Sequence, residues 1–107
     1  MYRRLGEITR EELVNAKPGV INAIRIPTQQ TLQKYNLTPA VYTDLLRRQN
    51  FVCGICEEVR PLVIDHCHKT GKVRGLLCNR CNSGMGFIDA GFALKGEEYR
   101  KTNVNLY

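Results

Sequence analysis

Two pairs of cysteines constrain the fold of this chain more than any other feature of its sequence. Cys53 and Cys56 form the first pair, Cys78 and Cys81 form the second, and 21 residues separate the pairs. Two intervening residues allow both thiolates of a pair to reach one tetrahedral ion at about 2.3 Å. Pairs at this spacing are typical of zinc sites. Because four sulfurs close the coordination shell, we predict a structural Zn²⁺ rather than a catalytic one.

The chain has five cysteines, so one of them, Cys67, is left outside the four-ligand set. No apolar segment approaches the roughly 18 residues of a membrane span, and the charged N-terminus lacks a secretory signal. The sequence therefore predicts a cytosolic location, where thiols stay reduced and more often bind metals than form disulfides. The alternatives for the four cysteines are buried unligated thiols or a redox pair.

Size and charge add two further expectations. With 107 residues the chain should form one domain. A structural zinc contributes on the order of 10 kcal/mol, which is comparable with the whole stability of such a domain. The formal net charge of +6 predicts a polyanionic partner, most simply nucleic acid.

The segment before residue 50 predicts two helices. Thr9 and Glu12 fit a capping box, which favours a helix over about residues 10–16 that ends at Lys17-Pro18-Gly19. Thr38 followed by Pro39 predicts the start of an amphipathic helix over about residues 39–49. Between them, residues 20–27 are interpreted as a strand or an extended arm, and the sequence does not separate these two alternatives.

The segment after residue 50 predicts a short hairpin and helical pieces. β-Branched residues favour strands at 62–65 and 73–78, joined by a loop that contains Gly71. From Asn79 the sequence is helical or turn-like as far as the glycines at 84 and 86. Residues 96–107 are expected to form a short final helix with a frayed end.

A second cluster lies between the cysteine pairs, within LVIDHCHKTGKVRGLLCNRCN. Both histidines of the chain, His66 and His68, occur here beside Asp65. Positive charge surrounds them, without an acid from 66 to 81, and suits contact with a phosphate backbone; the candidate contacts are Lys69, Lys72, Arg74 and Arg80. The alternative is a solvated basic hairpin on a zinc-ribbon binding module.

The order of these motifs resembles the phage recombination endonuclease VII family, which belongs to the His-Me finger (HNH-like) nucleases. The matching elements are C-x-x-C, then I-D-H-x-H, then K-V-R-G-L-L-C-N-x-C-N over residues 53–82, and the preceding LTPAVYTDLLRRQNFVCGIC is similar too. The resemblance implies a small α+β fold with a zinc-stabilised ββα-metal (His-Me finger) core and flanking helices. The nuclease domain would span residues 38–107, and residues 1–37 would be an N-terminal arm with a short helix and no assigned role.

The resemblance also implies roles for individual residues. Asp65 and Asn82 would bind a catalytic Mg²⁺ or Mn²⁺, His66 would be the general base, and His68 would lie in or beside the active site. The four paired cysteines would bind Zn²⁺. The chain would then be a phage-encoded, metal-dependent endonuclease that cuts branched or double-stranded DNA in the bacterial cytoplasm.

The sequence departs from the family pattern at two points. Cys67 stands where a polar or acidic residue is often seen between the histidines. Only 25 residues follow Asn82, whereas relatives that resolve four-way junctions carry long C-terminal helices that form an intertwined dimer. A homodimer is therefore left open.

One expectation follows from strand geometry. In a regular strand Asp65 and His66 would face opposite sides of the sheet, yet catalysis requires both at one phosphate. We therefore expect the strand to twist or end there. Two non-enzymatic alternatives remain: a zinc-stabilised nucleic-acid-binding module, and a zinc knuckle that binds a protein partner.

Overall fold

A computed structural model describes residues 8–102, and this range forms a small α+β fold with a two-stranded antiparallel sheet. The predicted α+β class is confirmed. In chain order the elements are α1 (Arg10–Asn15), α2 (Val20–Ala23), α3 (Gln29–Lys34), α4 (Pro39–Arg48), β1 (Leu62–His66), β2 (Val73–Cys78), α5 (Asn79–Asp89) and α6 (Phe92–Thr102).

The two predicted N-terminal helices begin where their caps predict. The Thr9 hydroxyl accepts a hydrogen bond from the Glu12 N–H, and the Glu12 carboxylate accepts one from the Thr9 N–H. The Thr38 hydroxyl accepts a hydrogen bond from the Val41 N–H at the start of α4, where Pro39 is the first helical residue. These side chains satisfy N–H groups that the helix itself leaves without partners.

The segment between these helices differs from the prediction. Residues 20–23 form one helical turn, α2, so the strand alternative is wrong there. The chain then runs extended to Thr28, whose hydroxyl accepts a hydrogen bond from the Thr31 N–H and caps α3. The turn forms because Gly19, at φ 92°, adopts a left-handed conformation that redirects the chain into it.

The hairpin has a β-bulge at the position where the sequence required an irregularity. Leu62 pairs with Cys78, and the register continues regularly to Asp65 opposite Gly75. His66 then pairs with Val73, so Arg74 is the extra residue of the bulge. The loop closes through Gly71, at φ 77°, whose N–H donates to the Cys67 carbonyl at 2.7 Å. The expected break in strand geometry is therefore present.

The C-terminal helices are longer than predicted. α5 continues through Gly84 and Gly86 to Asp89, although each glycine costs a helix about 1 kcal/mol relative to alanine. Two glycines weaken a helix without breaking it, and α5 is fixed at its start by the second cysteine pair. α6 begins at Phe92 rather than at residue 96, and residues 103–107 of the expected frayed end lie outside the described residues.

The larger of two apolar clusters joins the N-terminal helices to the hairpin. Its buried members are Ile8, Leu13, Val20, Leu32, Tyr42, Leu46, Val52, Ile64 and Leu76. Several of them precede residue 38, so the segment predicted as an arm is packed against the sheet. Full burial of one such side chain stabilises the fold by about 1.5–3 kcal/mol. The core therefore fixes α1–α3 relative to β1.

Gln49 connects the end of α4 to the free edge of β2. Its side-chain amide donates to the carbonyls of Leu76 at 2.8 Å and Val52 at 2.9 Å, and accepts from the Leu76 N–H at 2.9 Å. The amide thus occupies the place of a neighbouring strand. A Cβ atom at Gly75 would lie 3.1 Å from the Gln49 Oε1 atom, so glycine leaves room for this contact.

Candidate functional site

The four paired cysteines form a metal site. Their Sγ atoms all lie within 4.8 Å of one another, and those of Cys56 and Cys78 are 3.9 Å apart. Four Zn–S bonds of about 2.3 Å in a tetrahedron would place the sulfurs about 3.8 Å apart. Cys53 and Cys78 are buried, so the centre is shielded from water on one side. The donor set and its spacing fit a structural zinc ion.

Ionisation of all four cysteines at once would require a cation. Burial opposes ionisation of Cys53, but hydrogen bonds from the N–H groups of Cys78 and Ile55 lower its pKa to about 6. Burial, together with hydrogen bonds to the other three cysteines, raises the pKa of Cys81 to about 12. Negative charge therefore collects on one sulfur, and four thiolates can coexist here only around a positive ion.

Cys67 is separate from this cluster. It lies in the loop after β1, and its N–H donates to the Lys72 carbonyl at 2.8 Å. Hydrogen bonding with the Thr70 side chain is the main cause that lowers the pKa of the Cys67 thiol. The group of cysteines that could hold a metal contains the four paired residues without Cys67.

The second predicted cluster lines one pocket of about 450 Å³, to which Asp65, His66, His68 and Asn82 all contribute. β1 carries Asp65 and His66, the loop carries His68, and the first turn of α5 carries Asn82. The two imidazole rings lie close together, with centroids 4.8 Å apart. The structure thus brings together all four residues for which a catalytic role was predicted.

Arg74 is bound between two carboxylates at the edge of this pocket. Its Nε and Nη2 atoms donate to the two carboxylate oxygens of Asp65, at 2.9 and 3.0 Å. Nη1 and Nη2 donate to Asp89 of α5, at 3.1 and 2.8 Å. Hydrogen bonds with Asp89 and Asp65 raise the pKa of Arg74, and Arg74 lowers the pKa of Asp89.

These bonds give Arg74 a different environment from that of a free phosphate contact. Asp65 is only 7% exposed, so its carboxylate is fixed in a buried, charge-paired position. The other three predicted phosphate contacts are exposed, as Arg74 itself is, but they lack such paired carboxylates. Arg80 lies 3.9 Å from the Glu58 carboxylate, while Lys69 and Lys72 make no ion pair with any residue in the range 8–102.

The opposite wall of the pocket is formed by residues between 25 and 35, for which no functional role was predicted. Arg25, Thr31 and Tyr35 line it, together with Ile26 and Pro27. The Tyr35 ring lies beside His66, with a centroid distance of 5.1 Å. No local motif marks these residues, because the tertiary fold alone brings them beside the hairpin, as the Tyr35–His66 ring contact shows.

A second cavity, of about 780 Å³, lies between the ends of α1 and α4 and the first cysteine pair. Although it is larger, none of the predicted catalytic residues lines it. We assign the functional site to the smaller pocket because two imidazoles, a carboxylate and an amide converge there.

No helix within residues 8–102 combines the length and apolar character needed to cross a membrane.

Two phage proteins resemble this chain. The gene 59 proteins of Mycobacterium phages L5 and D29 are each 42% identical to it over 55 residues, which cover 48% of this chain. The matched segment covers 34% and 33% of those proteins, so the chain spans about a third of their length. No solved structure matches the chain.

The family model of recombination endonuclease VII matches residues 28–102. This range includes both cysteine pairs and every residue with a predicted catalytic role. It begins within the extended segment before α3 and ends with α6, so it takes in the whole hairpin and the pocket around it. The chain therefore belongs to the recombination endonuclease VII family.

Proposed function

We propose that this chain is a metal-dependent, phage-encoded DNA endonuclease that hydrolyses phosphodiester bonds. The observation that carries the proposal is the convergence of Asp65, His66, His68 and Asn82 on one pocket beside the cysteine cluster. Membership of the endonuclease VII family supports the same activity. The unit β1–β2–α5 then serves as the His-Me finger core of a nuclease domain over residues 38–107.

His66 acts as the general base in this proposal. A neutral imidazole accepts a proton from water near neutral pH, which lets the water oxygen attack phosphorus. The P–O bond to the 3′-oxygen breaks as the new bond forms. Ring contacts with Tyr35 and His68 restrict the orientation of the His66 imidazole. His68 thus supports the base from the loop side of the pocket.

Asp65 and Asn82 are the residues that would hold Mg²⁺ or Mn²⁺. A carboxylate and an amide oxygen are donors that these hard cations prefer, and both residues line the same pocket. Such an ion, when bound, supplies positive charge that stabilises the departing oxygen. Two hydrogen bonds from Arg74 restrict the orientation of the Asp65 carboxylate, and the bonds of Arg74 to Asp89 hold the guanidinium beside it.

A zinc ion held by the cysteine cluster would give the site its shape. Cys78 ends β2 and Cys81 lies in the first turn of α5, immediately before Asn82. Binding of both cysteines to one ion joins the helix to the hairpin. The spacing between Asn82 and Asp65 then depends on the zinc site rather than on side-chain packing alone.

DNA is the proposed substrate, in the cytoplasm of a bacterial host. Lys69, Lys72 and Arg80 offer exposed positive charge around the pocket for the phosphate backbone. A homodimer is part of the proposal, because α5 and α6 expose large apolar side chains. The most exposed of these are Phe87, Phe92, Leu94 and Tyr99.

The replacement His66→Ala tests the proposed mechanism. Single-turnover nicking of supercoiled plasmid should slow by a factor of about 10² to 10⁴, the usual contribution of a positioned general base. Zinc content and DNA affinity should stay unchanged, because the imidazole is not part of the cysteine cluster and is not one of the proposed phosphate contacts. Asp65→Ala should instead weaken divalent-ion binding, so excess Mn²⁺ should restore part of its activity.

Two results would contradict the proposal. Wild-type cleavage rates in His66→Ala would show that another group activates the water. A wild-type protein that binds DNA with strong salt dependence yet never nicks it would favour the non-catalytic binding module, in which Asp65 is only the structural ion-pair partner of Arg74.

A further inference from the structure

Arg25 is held in a fixed position on the wall of the pocket opposite the hairpin. It lies in the extended segment between α2 and α3 and lines the same pocket as His66. Its Nη1 atom donates to the carbonyls of Asn22 at 2.9 Å and Ile24 at 3.1 Å. Its own carbonyl accepts a hydrogen bond from the Tyr42 hydroxyl at 3.4 Å. Both the side chain and the backbone of Arg25 are therefore anchored.

The anchoring groups leave the charge of Arg25 uncompensated. Carbonyl oxygens accept its hydrogen bonds, and no carboxylate of residues 8–102 forms an ion pair with it. Arg74, on β2, is instead bound by two carboxylates. Lys34 adds a second cation on the same side, with its Nζ atom 5.7 Å from the centre of the Tyr35 ring. Arg25 is thus a cation of the pocket lining that forms no ion pair with a carboxylate of residues 8–102.

The free edge of the Arg25 guanidinium has the geometry of a phosphate ligand. A guanidinium has five N–H donors, and the two carbonyl bonds use those of Nη1. Nε and Nη2 remain, and together they form the fork that binds two oxygens of a phosphate at once. Thr31 lines the same pocket, and its hydroxyl shares a hydrogen bond with the Thr28 hydroxyl at 3.1 Å, which leaves it further capacity to bond a phosphate oxygen.

We propose that Arg25, with Thr31 beside it, forms a phosphate-binding subsite for the DNA backbone on the arm side of the pocket. The strand that is cut then lies between this subsite and the basic loop of the hairpin. The inference rests on the proposed function for the nature of the ligand. It gives the segment before α3 a role that the matched range 28–102 does not include, because Arg25 precedes that range.

The test compares DNA binding by Arg25→Gln, Arg25→Lys and wild type, measured by fluorescence anisotropy with a 30-base-pair duplex and no added divalent ion. Arg25→Gln should bind about tenfold more weakly, and its salt slope should fall by about 0.9, the value for one phosphate contact. Arg25→Lys should keep the slope and recover part of the affinity, because it retains the charge and loses the fork.

Arg10→Gln is the matched control, since Arg10 is an exposed residue of α1 that does not line the pocket. It should change affinity less than twofold. An equal loss in Arg25→Gln and Arg10→Gln would overturn the subsite, because only the net charge would then matter. If Arg25→Gln has a lowered melting temperature, Arg25→Lys decides: wild-type affinity in a folded lysine variant overturns the phosphate fork.

The outcome is separable from that of the proposed function. Binding is measured without cleavage, so the two proposals can fail independently. If wild type never nicks plasmid but Arg25→Gln binds DNA more weakly than wild type, the subsite is supported and the nuclease activity is contradicted. If wild type nicks plasmid and Arg25→Gln binds DNA with wild-type affinity, the subsite alone is contradicted.

Discussion

At the scale of single residues, Arg74 shows how the extra residue of a β-bulge organises a site. The bulge makes Arg74 the extra residue between Val73 and Gly75, and its side chain joins Asp65 of β1 to Asp89 of α5. Two charge-assisted, paired contacts of this kind fix the direction of a carboxylate better than a single bond. The bulge therefore serves Asp65 as much as it serves His66.

The ion pair of Asp89 predicts a specific pH dependence. Arg74 lowers the pKa of Asp89 below its ordinary value of 3.8, so the pair stabilises the folded state above that pH and loses its effect only as pH falls further. Asp89→Asn should unfold at lower urea concentration than wild type, by an amount that stays constant from pH 7 to pH 5. A difference that shrinks within that range would contradict the lowered pKa.

Asp44→Asn is the control for this measurement. Asp44 pairs with Arg48 on the exposed face of α4, where both side chains are more than half exposed. Surface pairs of this kind contribute little. Its urea midpoint should therefore match that of wild type.

Two replacements distinguish the four cysteines that form the metal site from Cys67, which lies outside it. Cys78→Ser should lose the metal and the fold together, because structural zinc is worth on the order of 10 kcal/mol. Cys67→Ser should keep one zinc per chain and most of its activity, because the four other sulfurs close the shell. Elemental analysis and circular dichroism measure both. A folded, zinc-free Cys78→Ser protein, or loss of zinc from Cys67→Ser, would show that the ligand set is wrong.

At the scale of elements, the contact between α4 and β2 depends on one amide. Gln49→Ala leaves the buried Leu76 N–H without its partner, which costs about 1–3 kcal/mol. The midpoint of chemical unfolding should fall accordingly. Gln30→Ala, an exposed glutamine of α3, should stay within about 0.5 kcal/mol of wild type. Equal stability of the two variants would show that the amide does not hold the sheet edge.

Some elements follow from local sequence and others do not. The caps of α1 and α4 and the β-branched strands act through neighbouring residues, so the sequence was sufficient to predict them. α3 has a threonine cap too, but a six-residue helix is stable only through Leu32 in the core. The predicted end of α5 at the two glycines was wrong. Contacts of this helix with both strands and with α6 outweigh the cost of the glycines.

The same distinction applies to the site. Asp65, His66 and His68 are neighbours in sequence, and Asn82 follows a metal ligand, so their meeting in one pocket was predictable from motif order. Arg25 and Tyr35 reach that pocket only through the tertiary fold, in which α1–α3 share a buried core with the sheet. Nor does the motif indicate that Arg74 is paired twice, because Asp89 is 15 residues away along the chain.

At the scale of the whole molecule, the C-terminal helices carry a surface that a lone chain leaves open to water. Leu94 is 81% exposed and Phe92 62%, and neither α5 nor α6 buries a single residue. If these side chains join two copies, the wild-type protein should sediment as a dimer at micromolar concentration and Leu94→Glu as a monomer. Lys95→Glu, on the same helix, is the control for added negative charge. A wild-type monomer would remove the homodimer from the proposal.

The placement of the cysteine pairs on either side of Asp65 and His66 has a consequence for biosynthesis. A ribosome makes the candidate general base before it makes Cys78 and Cys81, so the nascent chain carries the histidines while half of the metal ligands are still missing. Asn82 follows directly after the last ligand. In the proposed nuclease, the ability to cut would therefore arise only when translation has passed that point and the cell has supplied the ion, which would couple cleavage of DNA to the zinc supply of the cell.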